Sequence, residues 1–561
     1  MKNEKNVYAK MRDGVRLAVD VYRPDAPGRF PGLLAMSPYS KDVQALVGVL
    51  PHGTGFTDEW GILEAGNSEY FVSRGYAHVI ADIRGVGNSE GTYYNMFSKQ
   101  EQEDGYDLVE WIAQQPWCDG NVGMVGISYF AVIQYLVAAQ QPPHLKAIFP
   151  HDGWGDLYRD IASHGGVPSL FNYYLPREIP SRAVPISETM YSKEELKRRV
   201  EELIEDEATN YSKDPHLLHV LLYPHVFPVP FDYLVNRNDG PFYRERSPVE
   251  VMDKIKVPTY LGSEFHGYPV CMHLPGAISG WEKINAPKKL AFREYPGGVE
   301  RPFHQFHDEI VRWYDYWLKG IDTGIMDEPP IKIWVRGAEK WRYERAWPLL
   351  EKTEWLTYYL RQGNLVAKEP PTGREPSDSL NYKPAAPTVL SGIPISPKPD
   401  YLVYSTEPFK EDMEVIGPIS LSLFASITSD DADFLIALRE MSPDGTAFVL
   451  TRGWLKASHR ELDQQKSRPW KPYHVHTNPT PVEPGRIYEY PIEIQPIANL
   501  FRKGQRLQLE IWPCDYPQQP YDWTQYWGAV HHIPYGKEVT YEIHHTPDHP
   551  SHLLLPLITK Q

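Results

Sequence analysis

The sequence predicts an α/β protein in which a doubly wound parallel sheet is followed by a separate all-β domain. Short apolar runs alternate with helical stretches in the N-terminal part, which is the pattern of parallel strands joined by crossover helices. Beyond residue 327 the pattern changes to runs with a period of two residues, separated by turn sequences. The chain has 561 residues, which is too many for a single hydrophobic core, so we expect two or three domains.

The predicted parallel sheet consists of apolar runs between residues 16 and 292. Glu103–Gln115 lies between two of these runs and predicts a crossover helix, because Leu108, Val109 and Ile112 supply its apolar positions. The expected strands are Arg16–Tyr22, Gly32–Met36, Ala77–Asp82, Val122–Gly126, Ala147–Pro150, Thr259–Leu261 and Lys289–Phe292.

From residue 155 to 250 the strand pattern stops and a helical segment takes its place. Ser192–Glu207 is predicted as a helix, because it opens with the capping box Ser192-Lys193-Glu194-Glu195 and carries a single apolar stripe. An insertion of this length between two strands of a sheet is expected to form a cap over the edge of the sheet rather than a linker.

A second change of pattern follows the predicted helix His307–Leu318. Runs of period two then predict an all-β domain, which we expect to be a two-sheet sandwich. These runs are Ile331–Val335, Ser420–Ser426, Asp433–Leu438, Tyr488–Ile494 and Arg506–Ile511. The predicted division is a first core part at residues 1–154, a cap at 155–250, a second core part at 251–326 and the β domain at 327–561.

The charge balance argues against nucleic acid as a partner. The chain carries 57 Lys and Arg against 73 Asp and Glu, a net charge of −16, and such a field repels a phosphate backbone. A membrane helix requires roughly 20 consecutive apolar residues, and we find no such run. The first residues lack the apolar stretch of a signal peptide, so we expect a cytoplasmic protein.

No metal or cofactor is expected. Cys118, Cys271 and Cys514 lie far apart and have neither disulfide-framework nor zinc-site spacing. A histidine group near the C-terminus lacks the carboxylates or thiols of a metal site, and solvated histidines are the commoner case. Its members are His544, His545, His549 and His552.

Three Gly-x-Ser sequences are candidates for a catalytic serine, and the context separates them. They end at Ser68, Ser89 and Ser128. Only Gly126-Ile127-Ser128 follows an apolar strand and leads directly into a helix-compatible stretch, at residues 131–139. Strand, sharp turn and helix form a nucleophile elbow, which places a serine hydroxyl and the next backbone N–H at one spot. This pattern predicts Ser128 as a nucleophile.

The elbow motif departs from its usual form, because Phe130 stands where the second glycine of Gly-x-Ser-x-Gly is expected. The competing interpretation is that Ser128 only caps the helix that follows a buried strand.

The sequence around this serine resembles that of the cocaine esterase-like (CocE/NonD) hydrolases, which share a fold with the X-Pro dipeptidyl-peptidases. Asp104–Gly123 resembles the approach to the nucleophile in that family. Further similar segments follow the family's order along the chain. They are Met11–Leu17, Ser37–Tyr39, Asp82–Gly91, Trp317–Gly320 with Asp322–Gly324, and Gly453–Arg460.

The resemblance implies an α/β-hydrolase core, a helical cap and a C-terminal jelly-roll domain. It also implies an oxyanion hole formed by the Tyr39 hydroxyl and the backbone N–H of Tyr129. From the residues alone, Tyr39 is a tyrosine just past the end of a strand, where a site residue and a structural hydroxyl are equally plausible.

The acid and the base are expected in the chain order Ser, Asp or Glu, His, with the histidine after the last strand. The first carboxylate after the strand ending at Leu261 is Glu264, where relatives usually carry Asp. Either acid can orient an imidazolium. Two histidines follow the last strand, His304 and His307, and we favour His307 because its distance to Trp317–Gly320 resembles the family's spacing.

These residues predict a serine hydrolase that cleaves carboxylic esters through an acyl-enzyme. An X-Pro dipeptidyl-peptidase or an amide hydrolase is the alternative, with a small ester, an amide or a short peptide as substrate. A catalytically inactive core that only binds a saccharide or peptide is the competing class. Large exposed β domains often pair, so we also allow for a homo-oligomer.

Overall fold

The computed structural model describes residues 1–44, 64–171, 179, 181–265, 270–293, 306–384, 398–515 and 532–559. Its centre is a ten-stranded sheet in the order β1-β2-β4-β3-β5-β6-β9-β10-β11-β12. The strands from β4 across to β11 are parallel to one another. Antiparallel strands extend the sheet at both ends.

The strands of this sheet are β1 Lys2–Lys10, β2 Arg16–Arg23, β3 Phe30–Ser37, β4 Ala77–Asp82, β5 Cys118–Met124, β6 Leu145–Ile148, β9 Thr259–Glu264, β10 Lys288–Arg293, β11 Ile331–Val335 and β12 Lys340–Glu344. The α-helices are α1 Lys41–Gln44, α2 Ser68–Ser73, α3 Lys99–Ala113, α4 Tyr129–Ala138, α5 Ser187–Met190, α6 Lys193–Glu205, α7 Pro215–Leu222, α8 Pro228–Val235, α9 Pro241–Arg244, α10 Val270–Lys283 and α11 His307–Lys319.

Helices cover both faces of the sheet, as a doubly wound fold requires. Gly32 on β3 faces α3, where an added Cβ would lie 2.6 Å from Ile112 Cγ2. Gly123 on β5 faces the other way, towards α11, where a Cβ would lie 2.4 Å from the ring of Tyr314. Gly32 pairs with Val122, the neighbour of Gly123, and side chains alternate along a strand, so α3 and α11 lie on opposite faces.

All seven predicted strands are present, with bounds that agree to within a few residues. The first, Arg16–Tyr22, was wrongly expected to be parallel: as β2 it pairs antiparallel with both β1 and β4. The edge strand β1 was missed because Lys2–Lys10 is largely exposed and carries no apolar alternation. Ile331–Val335 was assigned wrongly to the all-β domain, since it pairs in parallel with β10 as β11 of the central sheet. Its alternating burial is that of a strand with one covered face, and such a pattern does not reveal which sheet the strand joins.

The segment between β6 and β9 is mostly helical, as predicted for a cap. It contains a π-helix at Leu157–Ala162, the short strands β7 Ser163–His164 and β8 Val167–Pro168, and helices α5 to α9. The serine half of the predicted capping box is present, because Ser192 Oγ accepts a hydrogen bond from the N–H of Glu195 at 3.1 Å. The Glu195 carboxylate accepts hydrogen bonds from Arg198 and Arg199. An apolar cluster of its own, which includes Leu203, Leu217 and Phe231, organises this segment.

The C-terminal domain is all-β. In the described part of this domain, twelve strands form one sheet whose path closes, because the last strand pairs with both β13 and β17. The strands are β13 Thr353–Arg361, β14 Asn364–Ala367, β15 Asp378–Tyr382, β16 Leu402–Ser405, β17 Met413–Ile427, β18 Asp433–Met441, β19 Ala447–Lys456, β20 Tyr488–Phe501, β21 Arg506–Trp512, β22 Val539–Thr546, β23 His549–Pro550 and β24 His552–Ile558. Its description as a jelly roll stays a prediction, as do the domain bounds.

A hairpin formed by β7 and β8 docks onto the C-terminal domain. Gly165 and Gly166 make its two-residue turn with φ of 56° and 88°, both in the left-handed region that glycine tolerates. The backbone of this turn approaches so closely that a Cβ on Gly165 would lie 2.0 Å from the Trp454 carbonyl oxygen. Beside the turn, His164 Nδ1 lies 2.7 Å from His532 Nε2.

Within the described ranges, the structure contains no helix with the length and apolar character needed to cross a membrane.

We expect Gly166→Ala to lower the thermal unfolding midpoint, because the new Cβ would lie 2.4 Å from the His459 ring. Gly445→Ala is the matched control, since Gly445 has the same φ of 88° but no atom within 4 Å of an added Cβ. The clash should cost about 1–3 kcal/mol beyond the backbone strain that both variants share. Equal midpoints for the two variants would show that the docked turn does not contribute to stability.

Candidate active site

Ser128 lies on a sharp turn between β5 and α4, as the elbow pattern predicts. Its φ of 57° and ψ of −119° are strained values for a residue with a side chain. The turn is held by the backbone: the Ser128 N–H donates to the His151 carbonyl at 3.3 Å, and the Ser128 carbonyl accepts from Ala131 and Val132.

The departure at Phe130 is accommodated by the glycine on the other side of the turn. Gly126 has a φ of 127°, and a Cβ there would lie 2.3 Å from the Cβ of Phe130. Phe130 itself lies in the first turn of α4, and its ring meets the ring of Tyr39 edge-on at 6.2 Å. The large side chain at position 130 is therefore compatible with the elbow as long as position 126 remains glycine.

The Ser128 side chain is oriented towards an imidazole rather than towards the helix. Ser128 occupies the N-cap position of α4, but its hydroxyl makes no capping bond to that helix. Ser128 Oγ instead lies 3.1 Å from His273 Nε2, and both residues are buried. A serine hydroxyl within hydrogen-bond reach of an imidazole is the pairing that activates a nucleophile.

His273 belongs to the first turns of α10, and a close backbone approach fixes this helix. A Cβ on Gly276 would lie 1.9 Å from the Gly153 carbonyl oxygen, so no other residue fits there without displacing the helix. The His273 ring runs nearly parallel to the ring of Trp154, at an angle of 10° and a centroid distance of 6.2 Å.

His307, our predicted base, has a different environment. It begins α11, and its Nε2 accepts a hydrogen bond from the Asn67 N–H at 3.2 Å. Its ring stacks on Tyr70 with centroids 4.7 Å apart. The contact that we expected between His307 and Ser128 is thus made by His273 in the described residues. The alternative, His304, lies outside the described residues.

The chain order of serine, acid and histidine does not predict His273, because this order places the histidine after the last strand of the core and His273 precedes that strand. The residue stands in the apolar stretch Met272-His273-Leu274, which resembles an ordinary buried helix. Its position one strand earlier is the available signal: it lies in the first turn of the helix that follows the strand ending in Glu264. The carboxyl ends of β5 and β9 meet at the same edge of the parallel sheet, and this edge brings His273 to Ser128.

Glu264 is the last residue of β9 and is buried. It lies opposite Arg293 in the register with β10. The structure thus locates this carboxylate at the edge of the sheet to which β5 also leads, while its role as the acid stays a prediction.

Tyr39 and Tyr129 lie together beside the turn. Tyr39 follows β3, is buried, and meets the ring of Tyr129 edge-on at 5.8 Å. Asp82 holds the Tyr39 loop, because its carboxylate accepts the Lys41 N–H at 2.7 Å. Tyr129 is the first residue of α4, and the first N–H of a helix has no acceptor within the helix. The Tyr129 N–H is therefore not used by the helix itself, and its role in an oxyanion hole stays a prediction.

A third imidazole, that of His151, supports the turn and is packed as a core residue. Its ring stacks on Phe149 with centroids 4.0 Å apart, and a Cβ on Gly262 would lie 2.2 Å from it. Burial lowers the pKa of His151 well below its usual range, so the ring is neutral. Its backbone carbonyl is the acceptor for the Ser128 N–H.

Among the residues that the structure describes, no group of three or more His, Cys, Asp or Glu side chains could hold a metal ion. The site as described consists of a strained serine, an imidazole in contact with it, and backbone and phenol groups beside it. Such an arrangement can carry out acyl transfer.

Family models match most of the chain. The model of X-Pro dipeptidyl-peptidases (S15 family) matches residues 13–294, and the model of the X-Pro dipeptidyl-peptidase C-terminal non-catalytic domain matches residues 323–554. The chain belongs to the S15 family. It is a serine hydrolase, and the predicted resemblance to the CocE/NonD hydrolases is confirmed.

Relatives of this S15 hydrolase include proteins named for esters and for peptides. The cocaine esterase of Rhodococcus sp. (strain MB1 Bresler) is 29% identical over 99% of this chain and 98% of its own length. A CocE/NonD family hydrolase from Staphylococcus aureus has a TM-score of 0.77 at 22% identity, covering 99% of this chain and 94% of that one. An aminopeptidase from a marine sediment Thaumarchaeota archaeon has a TM-score of 0.75 at 18% identity, covering 100% and 96%. The two structures confirm the predicted fold class.

We expect Gly276→Ala to reduce ester hydrolysis by this S15 hydrolase roughly 10- to 100-fold, because the added Cβ would push α10 and His273 away from Ser128. The measurement is kcat/KM for a p-nitrophenyl ester, with circular dichroism to confirm that the protein is folded.

Gly280→Ala on the same helix is the control, since the nearest atoms to its Cβ are the side-chain ends of Leu261 at 2.7 Å and Ile284 at 3.6 Å rather than backbone. A fully active Gly276→Ala variant would contradict the inferred dependence of His273 on this approach.

Proposed function

We propose that this protein hydrolyses carboxylic esters of small molecules through an acyl-enzyme on Ser128, with His273 as the general base. The observation that carries the proposal is the 3.1 Å contact between Ser128 Oγ and His273 Nε2 at a strained turn. Buried serine and histidine side chains in contact also argue against an inactive binding protein, because capping or packing alone does not require this contact.

In the proposed reaction, His273 takes the hydroxyl proton as Ser128 Oγ attacks the ester carbonyl carbon. The Tyr129 N–H and the Tyr39 hydroxyl stabilise the negative oxygen of the tetrahedral intermediate. The alcohol leaves with the proton from His273, and an acyl-serine remains. Water then attacks the acyl group while His273 takes a proton from it, the Ser128 oxygen leaves with that proton from His273, and the acid is released. Glu264 is the proposed acid that orients the imidazolium.

His273 is preferred over His307 as the base because of what each imidazole nitrogen contacts. The Nε2 of His307 already accepts a backbone N–H, so that nitrogen is not available to take the proton of a serine. The Nε2 of His273 contacts the serine hydroxyl itself. His307 then contributes by packing α11 against Tyr70 and Phe71.

An ester is preferred over an X-Pro peptide as substrate, because the similarity to a protein named cocaine esterase extends over 99% of this chain. The name of the S15 family and the archaeal aminopeptidase support a peptide or amide substrate as the alternative. Four further expectations remain predictions from the sequence: that the protein binds no nucleic acid, that it binds no membrane, that it is cytoplasmic, and that it can form a homo-oligomer.

Activity of single variants on p-nitrophenyl esters and on X-Pro p-nitroanilides tests these assignments. We expect Ser128→Ala to lose essentially all activity and all labelling by a fluorophosphonate probe. His273→Ala should lower kcat by at least about 10⁴-fold, as removal of a catalytic base does.

His307→Ala and His304→Ala are the comparison variants in the same assay. Loss of activity in either one, with His273→Ala still active, would overturn the assignment of the base. Faster turnover of X-Pro anilides than of every ester by the wild type would favour the peptidase alternative.

Tyr39→Phe tests the proposed oxyanion donor, because it removes one hydroxyl and keeps the buried ring. An oxyanion donor contributes about 3 kcal/mol to transition-state stabilisation, so we expect kcat to fall about 100-fold with KM little changed. Wild-type kcat in this variant would show that the Tyr39 hydroxyl is structural.

A further inference from the structure

Glu101 is a buried carboxylate that contacts helix α4, which begins directly after Ser128, and it has no part in the proposed reaction. It lies on α3 and is 2% exposed. Its Oε2 accepts two hydrogen bonds, one from the Tyr129 hydroxyl at 2.9 Å and one from the Phe97 N–H at 3.0 Å. Tyr129 is the residue that follows Ser128, so Glu101 reaches the elbow through a single side chain.

The simplest explanation for the buried Glu101 side chain is that it caps helix α3, but a cap does not account for all of its contacts. Ser98 caps α3 through its hydroxyl, which accepts the Glu101 N–H at 3.3 Å. In a capping box the glutamate at this position accepts the N–H of the capping residue itself. Here Glu101 binds the N–H of the preceding residue, Phe97, and extends to a residue 28 positions along the chain. A cap requires only the first kind of contact.

In the described residues, aromatic packing and hydrogen bonds both hold the side chain of Tyr129 in place. The ring of Phe97 stacks on it with centroids 4.1 Å apart, and Phe97 is kept in that place with a φ of 57°. The rings of Tyr39 and Trp154 meet it edge-on at 5.8 Å and 6.5 Å. At the remaining end, the Tyr129 hydroxyl donates to Glu101 at 2.9 Å and accepts the Phe97 N–H at 3.3 Å.

A fixed Tyr129 side chain fixes the peptide unit between Ser128 and Tyr129, which carries the N–H aimed at the oxyanion. An oxyanion hole depends on donors held in position before the reaction, since reorientation during the reaction would cost free energy. Burial raises the pKa of Glu101 to about 8. At neutral pH the carboxyl is therefore mostly protonated and places little negative charge near the oxyanion.

We propose that Glu101 is a positioning residue for this hydrolase, which orients the backbone N–H of Tyr129 in the oxyanion hole through the Tyr129 hydroxyl. The inference rests on the proposed function, in which that N–H stabilises the tetrahedral intermediate. Glu101 touches neither the substrate nor the reacting atoms, and it acts on kcat through Tyr129.

The test compares Glu101→Leu, Glu101→Gln and Tyr129→Phe on a p-nitrophenyl ester, with active sites counted by fluorophosphonate labelling. Glu101→Leu removes the acceptor, and we expect kcat to fall on the order of tenfold or more with KM within about twofold of the wild type. Glu101→Gln keeps a carbonyl acceptor and should restore most of that loss. Glu103→Leu, on the same helix but partly exposed and paired with Lys99, is the control and should match the wild type.

The double variant Glu101→Leu with Tyr129→Phe separates positioning from general stability. The two changes break the same hydrogen bond between Tyr129 and Glu101, and each also removes an acceptor of the Phe97 N–H. We therefore expect the loss of kcat in the double variant to be clearly smaller than the product of the two single losses. Multiplied effects, a change in KM alone, or wild-type kcat per labelled site in Glu101→Leu would overturn the proposal. If Glu101→Leu does not fold, Tyr129→Phe decides: its kcat falls if the hydroxyl is a positioning contact and stays unchanged if it is not.

Ser128→Ala in the same assay distinguishes a failure of the proposed function from a failure of the proposed role of Glu101. Ester hydrolysis retained in Ser128→Ala would refute the proposed function. An inactive Ser128→Ala beside a fully active Glu101→Leu and Tyr129→Phe would refute only the role of Glu101.

Discussion

The conformation of Ser128 is the constraint on which the rest of this site depends. A φ of 57° with a ψ of −119° costs on the order of 1–3 kcal/mol, and it persists only where the surroundings impose it. The His151 carbonyl, which accepts the Ser128 N–H, and the N–H groups of the first turn of α4, which donate to the Ser128 carbonyl, provide that support on either side of the serine. The absence of a side chain at Gly126 leaves the room that Phe130 needs. The hydroxyl is thereby kept out of the capping geometry and available to an imidazole.

A close approach between two backbone segments positions His273 next to Ser128. The core does not position His273 by a long loop but by a helix whose backbone contacts the segment after β6 directly, at Gly276 and Gly153. Aromatic rings then fill the surroundings of the turn, with Trp154 beside His273 and Phe97 beside Tyr129. Rigid packing around a reactive group is what acyl transfer requires, because donors that must reorient lose much of their effect.

The sequence predicted those parts of this molecule that depend on local pattern. Apolar runs gave the parallel strands, a capping box gave α6, and the order of strand, turn and helix selected Ser128 among three Gly-x-Ser sequences. The contact with His273 could not be predicted in the same way, because it depends on how two strand ends meet in space. Ile331–Val335 shows a related limit: period two predicts one covered face, and the sheet to which a strand belongs is decided by its neighbours.

Because the glycine turn at Gly165 and Gly166 is docked on it, the C-terminal domain cannot simply be replaced by the C-terminal domain of a related protein. Its surface near Trp454 and His459 accepts a bare backbone and leaves no room for even one methyl group. A chimera that received this domain from a relative would need the matching hairpin from the same source. The hairpin and the domain therefore have to be exchanged together, although almost three hundred positions separate Gly166 from Trp454 along the chain.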